Sequence, residues 1–128
     1  MLVSLTALYA AILAIMVTAL AINVTVHRAK LGIHVGDGNN PHMLRMVRLH
    51  GNAAEYVPLA LVLMLVYEIN GGSHTALHVS GLVLVVSRLL HVLGMWKTAN
   101  PNFGRVSGQG LTWLTIAALA ALNIVKVV

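Results

Sequence analysis

Four long apolar runs, at 2–26, 44–69, 74–96 and 105–128, occupy most of this chain and leave only short polar segments between them. Crossing the hydrocarbon core of a bilayer takes about 20 helical residues at 1.5 Å each, and every run meets that length. In lipid each backbone N–H and C=O must be satisfied within the protein, which a lone apolar run achieves only as a helix. The charge content excludes a soluble alternative. Only 9% of residues are charged, against about a quarter in soluble domains. Hydrophobic residues make up 59% and the mean hydropathy is +0.87. The expectation is an all-α membrane protein, one domain over residues 1–128, folded as a four-transmembrane-helix bundle.

The polar segments set the order of the chain. The first run is expected to stay in the mature protein, because no positive residue precedes it and it exceeds a signal-peptide core in length. Residues 27–43 carry Arg28, Lys30 and Asp37 and the turn sequence Gly36-Asp37-Gly38-Asn39-Asn40-Pro41. The second crossing contains Pro58, which removes a backbone donor and favours a kink near Glu55. Asn70-Gly71-Gly72-Ser73 forms a tight turn, and 97–104, with Asn100-Pro101-Asn102, a loop. Lys and Arg gather in the first and third loops and their flanks, whereas the turn between crossings two and three has none. The positive-inside rule then orients loops one and three to the cytoplasm and both termini outside, with Lys126 as the lone contrary cation. The net charge of +5 therefore reflects topology and ligand chemistry, not nucleic-acid binding. With no cysteine, the chain has no disulfide, thiol nucleophile or thiolate metal site of its own.

The second crossing opens with polar groups on one stripe. At about 100° per residue, Arg45, Arg48, Asn52, Glu55 and Tyr56 fall in roughly one 100° sector, while His50 points nearly the other way. Polar groups at membrane depth are costly and mark a protein interior or a wet cavity. The plainer reading is an Arg48–Glu55 pair that fixes helix packing, although such a pair has no need of the amide and phenol. Arg88 lies well inside the third run with His91 three residues on, and an uncompensated charge there costs at least ~2.5–3.5 kcal/mol. The acids are Asp37, Glu55 and Glu68; since Asp37 is in a loop and Glu68 at the far end, Glu55 is the expected buried partner of both Arg48 and Arg88. Snorkelling, or pairing with backbone carbonyls, is the alternative for Arg88. Arg105 opens the last run, where free helix N–H groups already favour anions and could help ionise a bound thiol. An ordinary membrane anchor is the other reading of Arg105. His74 and His78 have a chelating i, i+4 spacing. With no cysteine and only Glu68 nearby, interfacial histidines explain them better, and no metal site is assigned. Trp96 and Trp113 read as interface or packing aromatics.

With these residues laid out, the chain resembles the MAPEG superfamily, the membrane-associated proteins of eicosanoid and glutathione metabolism, and within it the small bacterial members. The likeness spans essentially the whole chain. It includes the Gly-Asp-Gly-Asn first loop and the family's second-helix signature of Arg, any three residues, Asn, any two, Glu-Tyr, any one, Pro. Arg48, Asn52, Glu55, Tyr56 and Pro58 match that signature in full.

The resemblance implies a homotrimer with active sites between protomers near the cytoplasmic face, and glutathione as co-substrate. Arg48, Asn52, Glu55 and Tyr56 would hold the tripeptide, and His50, where relatives often carry Gln, would reach the adjacent subunit's site. Arg88 and His91 match the family's arginine and its His-or-Tyr partner, and Arg28 a first-loop basic position. Arg105 falls close to the arginine that relatives use to stabilise the thiolate, with a loop one residue longer than in some of them. One departure stands out: Met95 occupies the place where relatives active in eicosanoid chemistry carry a tyrosine.

The function expected on this basis is a multi-pass enzyme of the bacterial inner membrane. It would be a glutathione-dependent transferase or peroxidase type, activating a thiol for attack on a lipophilic electrophile drawn from the membrane lipid. Two other classes remain: a non-catalytic MAPEG-like protein that binds a thiol or lipid headgroup, and a small four-helix exporter. An exporter is expected to carry an acid in its first helix, and 2–26 has none.

Overall fold

The computed structural model describes residues 3–128, which form four helices: α1 (Ser4–Leu31), α2 (Pro41–Ile69), α3 (His74–Lys97) and α4 (Phe103–Val127). All four are long and apolar enough to cross a membrane. The helices outrun the apolar runs at the basic end. α1 continues past Val26 through the loop's first basic residues, with Arg28 and Lys30 in its last turn, where cations favour the dipole. It stops at Gly32, whose left-handed φ of 65° lets its N–H reach back to the Ala29 carbonyl. α2 begins at Pro41, preset for a first helical position, after Asn40, whose Oδ1 accepts from the His42 and Met43 amides at 3.0 Å. It then runs through Pro58 as one helix. Ser73 and Asn102 cap α3 and α4 in the same way, so local sequence starts three of the four helices.

α2 and α3 form the central pair. α1 and α4 each pack against both of them, and the α1 and α4 backbones nowhere approach within 8 Å of each other among the described residues. Three apolar layers fill the bundle. Tyr9, Met64, Tyr67, Leu77 and Leu119 lie at the end with the 70–73 turn, Leu13, Val57, Ala60 and Leu84 in the middle, and Leu20, Leu49, Ala53 and Met95 at the basic end. On α3 the buried set Leu77, Ser80, Gly81, Leu84, Ser87, Arg88, His91, Gly94 and Met95 recurs every three or four residues, one stripe that carries two ionisable groups. α3 and α4 are pressed together by small residues. A Cβ on Gly108 would lie 2.5 Å from the Ser87 carbonyl and the His91 amide. Such close backbone contact is how helices associate where lipid offers no hydrophobic drive.

α1 alone receives no N-terminal side-chain cap from its own flank. Its cap comes from α2: both oxygens of Glu68 accept backbone N–H groups, from Leu5 at 2.9 Å and Thr6 at 2.8 Å. Glu68 is the buried carboxylate of the bundle, only 8% exposed, whereas Glu55, expected to be buried, is open to the surroundings. Free helix N–H groups and the helix dipole satisfy an acid without any cation, which an argument from charge pairing overlooks. At the same end the Tyr9 hydroxyl lies 3.0 Å from Nδ1 of His78, engaging one of the two spaced histidines.

Replacing Glu68 by Ala is expected to lower stability by about 1.5–3 kcal/mol, the range for hydrogen bonds to a charged group. Asn40→Ala should cost only about 1 kcal/mol. Unfolding midpoints in detergent read both; a Glu68 variant no weaker than the Asn40 variant would remove the clasp from the fold's essentials.

Candidate functional site

The N-termini of α2 and α4 and the C-terminal turns of α3 meet at the basic end of the bundle. Arg45, Arg48, Asn52 and Tyr56 follow one stripe of α2, rising from the mouth into the membrane layer. On α3, His91 and Met95 face that stripe. α4 is brought in by its cap. Asn102 accepts the Arg105 amide at 3.1 Å through Oδ1 and donates from Nδ2 to the Gly94 carbonyl at 2.9 Å, tying the start of α4 to the end of α3. Arg105, in the first turn of α4, donates from Nη1 to the Ala99 carbonyl at 2.5 Å.

Two adjoining cavities result. The first, of about 290 Å3, is lined by Arg45, Arg48, Asn52, His91, Met95 and Arg105 together with Pro41, Leu44 and Ala99. Three arginines and no carboxylate line it. The second, of about 450 Å3, is bounded by Asn52, Tyr56, His91, Arg105, Gln109 and Trp113, with Val106, Gly110 and Pro101 completing an apolar wall. Asn52, His91 and Arg105 belong to both. A charged group held in one cavity and an oily group in the other would therefore meet at these three side chains.

Beneath that shared wall lies Arg88, fully buried on α3. Its Nη2 donates to Oδ1 of Asn52 at 2.8 Å, while Nε and Nη1 have no partner. The expected pairing of Arg88 with Glu55 does not occur. Glu55 instead sits 3.6 Å from Arg48, with both side chains more than half exposed. Seven residues separate Arg48 from Glu55, two turns along the rim of α2, so the acid stays on the outer side of the stripe while Asn52 faces inward. A neutral amide thus takes the place assigned to a carboxylate. The bond also fixes the amide: with Oδ1 held by the guanidinium, Nδ2 is the group left for the cavities. The inner end keeps an uncancelled positive potential, and the groups turned to the first cavity are donors.

Of the residues singled out from sequence, Arg48, Asn52, Tyr56, His91 and Arg105 line the cavities. Arg88 supports them from below. Arg28, half-buried in the last turn of α1 with Nη1 unpartnered, and His50, half-buried on another face of α2, line neither cavity. Glu55 stands at the rim beside Arg48. The cavities also take in Gln109, which carries no sequence motif, and Trp113, expected as a packing or interface aromatic. Each is the only residue of its kind on α4, and the spacing of four from Arg105 to Gln109 and from Gln109 to Trp113 was the available signal.

Several buried polar atoms around the cavities lack partners: Nε of Arg45, Nδ1 of His91, and both heteroatoms of Gln109. Buried polar groups are rarely left so, and such a set suits a ligand rich in carboxylates and amides.

The chain is similar to known proteins over nearly its whole length. The model of the MAPEG family matches residues 6–125. The inner membrane protein YecN of Escherichia coli K12 is 34% identical over 118 residues, covering 92% of this chain and 88% of its own. The protein of the same name from Escherichia coli strain CFT073 matches to the same extent.

Substituting Leu for Asn52 would strip the buried Arg88 of its hydrogen-bond partner. The expected loss is about 1–3 kcal/mol of stability, the cost of an unsatisfied buried group. Denaturant titration in micelles measures it; an unchanged midpoint would mean that the guanidinium does not depend on that amide.

Proposed function

The chain belongs to the MAPEG family, and from that premise we propose that it is a glutathione-dependent transferase of the membrane. The observation that carries the reading is the pair of cavities sharing Asn52, His91 and Arg105, one adding Arg45 and Arg48 and the other extending past Gln109 to Trp113. Glutathione, when bound, supplies the thiol nucleophile. Arg45 and Arg48 hold its carboxylates, Asn52 donates through Nδ2, and Glu55 takes its ammonium group. Arg105, the one arginine common to both cavities, stabilises negative charge on sulfur where the lipophile arrives. A cysteine-like thiol has a reference pKa near 8.5, and each unit of lowering corresponds to about 1.4 kcal/mol of stabilisation of the anion. With a chlorodinitrobenzene the S–C bond forms at the ring and chloride leaves. A peroxidase outcome would use the same activated sulfur on a hydroperoxide.

The functional assembly proposed is a homotrimer. Arg28 and His50, which line neither cavity of their own chain, would then serve the site of the neighbouring protomer. The exposed α2 edge around Arg48 and Glu55 would lie at that junction. Similarity to a protein named for the inner membrane supports placement in a bacterial inner membrane, with the basic loops on the cytoplasmic side.

Arg105→Ala is expected to keep the fold and reduce glutathione conjugation to chlorodinitrobenzene by about ten-fold or more. A wild-type rate would take Arg105 out of this role. Arg48→Ala should weaken glutathione binding by calorimetry, and wild-type affinity would count against its assignment. A thermal unfolding midpoint indifferent to glutathione and to its S-alkyl analogue would dispose of the transferase reading as a whole.

A further inference from the structure

Gln109 is the unexplained residue of the second cavity. Its Nε2 and Oε1 are both buried and without partners. The neighbouring hydroxyls are committed elsewhere: Ser107 donates to the Phe103 carbonyl, and Thr112 to the Gly108 carbonyl while facing Ser87. An amide left unsatisfied at membrane depth is costly, and such residues mark ligand pathways. Arg105, Gln109 and Trp113 stand at four-residue intervals, on one stripe of α4, each about 6 Å further along the axis than the last. Arg105 lies where the reacting sulfur is proposed to sit, and Trp113 offers an aromatic face to an oily body. Gln109 sits between them, able both to donate and to accept.

We propose that Gln109 selects the electrophile. The second cavity takes a lipophile carrying a hydrogen-bonding oxygen, a hydroxyl or carbonyl, about one helical turn from its reacting carbon. This inference rests on the transferase reading. A purely apolar electrophile fills the same cavity but leaves the amide unsatisfied. Sites built to hydrogen-bond a substrate group discriminate strongly against analogues lacking it, because the protein's own polar group is then stranded.

The test uses the full-length protein in detergent and two α,β-unsaturated ketones of equal length. One bears a hydroxyl four to five bonds from the β-carbon; the other has a methylene there. In each, sulfur bonds to the β-carbon and the α-carbon takes a proton, so nothing leaves. The wild type is expected to favour the hydroxylated ketone by about ten-fold or more in kcat/KM. Gln109→Met, which keeps the length and removes the hydrogen bonds, should bring that ratio close to one, with the change carried by KM. Gln109→Leu serves as a second apolar variant should the first not fold. A wild-type ratio near one overturns the proposal. So does a ratio that both variants leave intact, a parallel fall for both ketones, or dissociation of the oligomer, which would give the amide to a subunit contact. Chlorodinitrobenzene conjugation by the wild type separates the two levels. If it is present while the ratio fails, only the role of Gln109 is lost; if it is absent, the transferase reading fails and takes this inference with it.

Discussion

A guanidinium sealed inside a lipid-embedded bundle, answered by an uncharged amide, governs the architecture of the basic end. Arg88 is fully buried and binds Asn52 through a single 2.8 Å hydrogen bond. A carboxylate in place of the amide would cancel the charge and leave a neutral, closed core. With Asn52 the cation is held but not neutralised, and its field extends toward the cavities above. The same bond sets the direction of the amide, so one interaction supplies both the potential and the orientation of the amide that faces the cavities.

Backbone contact does the complementary work on the other wall. α4 could not reach the cavities if ordinary side chains stood at 94, 104 and 108. At each, a Cβ would meet backbone of the opposite helix: the Arg105 amide at Gly94, the Leu90 carbonyl at Gly104, and the Ser87 carbonyl and His91 amide at Gly108. Bare backbone at these points lets the first turn of α4 nest against the last turns of α3, and the Asn102 side chain locks the junction. Arg105 owes its place on the shared wall to this close approach. The shape of this end therefore depends on residues that line neither cavity themselves.

The four helices could be read from the sequence because the bilayer imposes length and apolarity directly on each segment, without regard to the others. The stripe on α2 was legible for a related reason: residues on one helix face share a fixed angular relation. What could not be read was how one helix answers another. Pairing Glu55 with Arg88 by elimination among three acids assumes that a buried cation requires an anion, whereas its hydrogen-bond partner is the neutral amide of Asn52. Glu68 was set aside as remote because its partners are backbone amides more than sixty positions away, which leave no mark on local sequence. Helix ends shifted outward because caps at Asn40 and Asn102 act beyond the apolar runs. Gln109 is not legible from sequence, because its buried, unpartnered amide is a property of packing alone.

The clasp between Glu68 and the start of α1 has a consequence for biogenesis. The first helix of the chain leaves the ribosome with two amide hydrogens, at Leu5 and Thr6, whose acceptor is made only when the second helix is nearly complete. Until then those groups must find water or headgroups at the bilayer surface. The opening turn of α1 thus reaches its final form only as a hairpin of two inserted helices, and α1 and α2 mature as one unit.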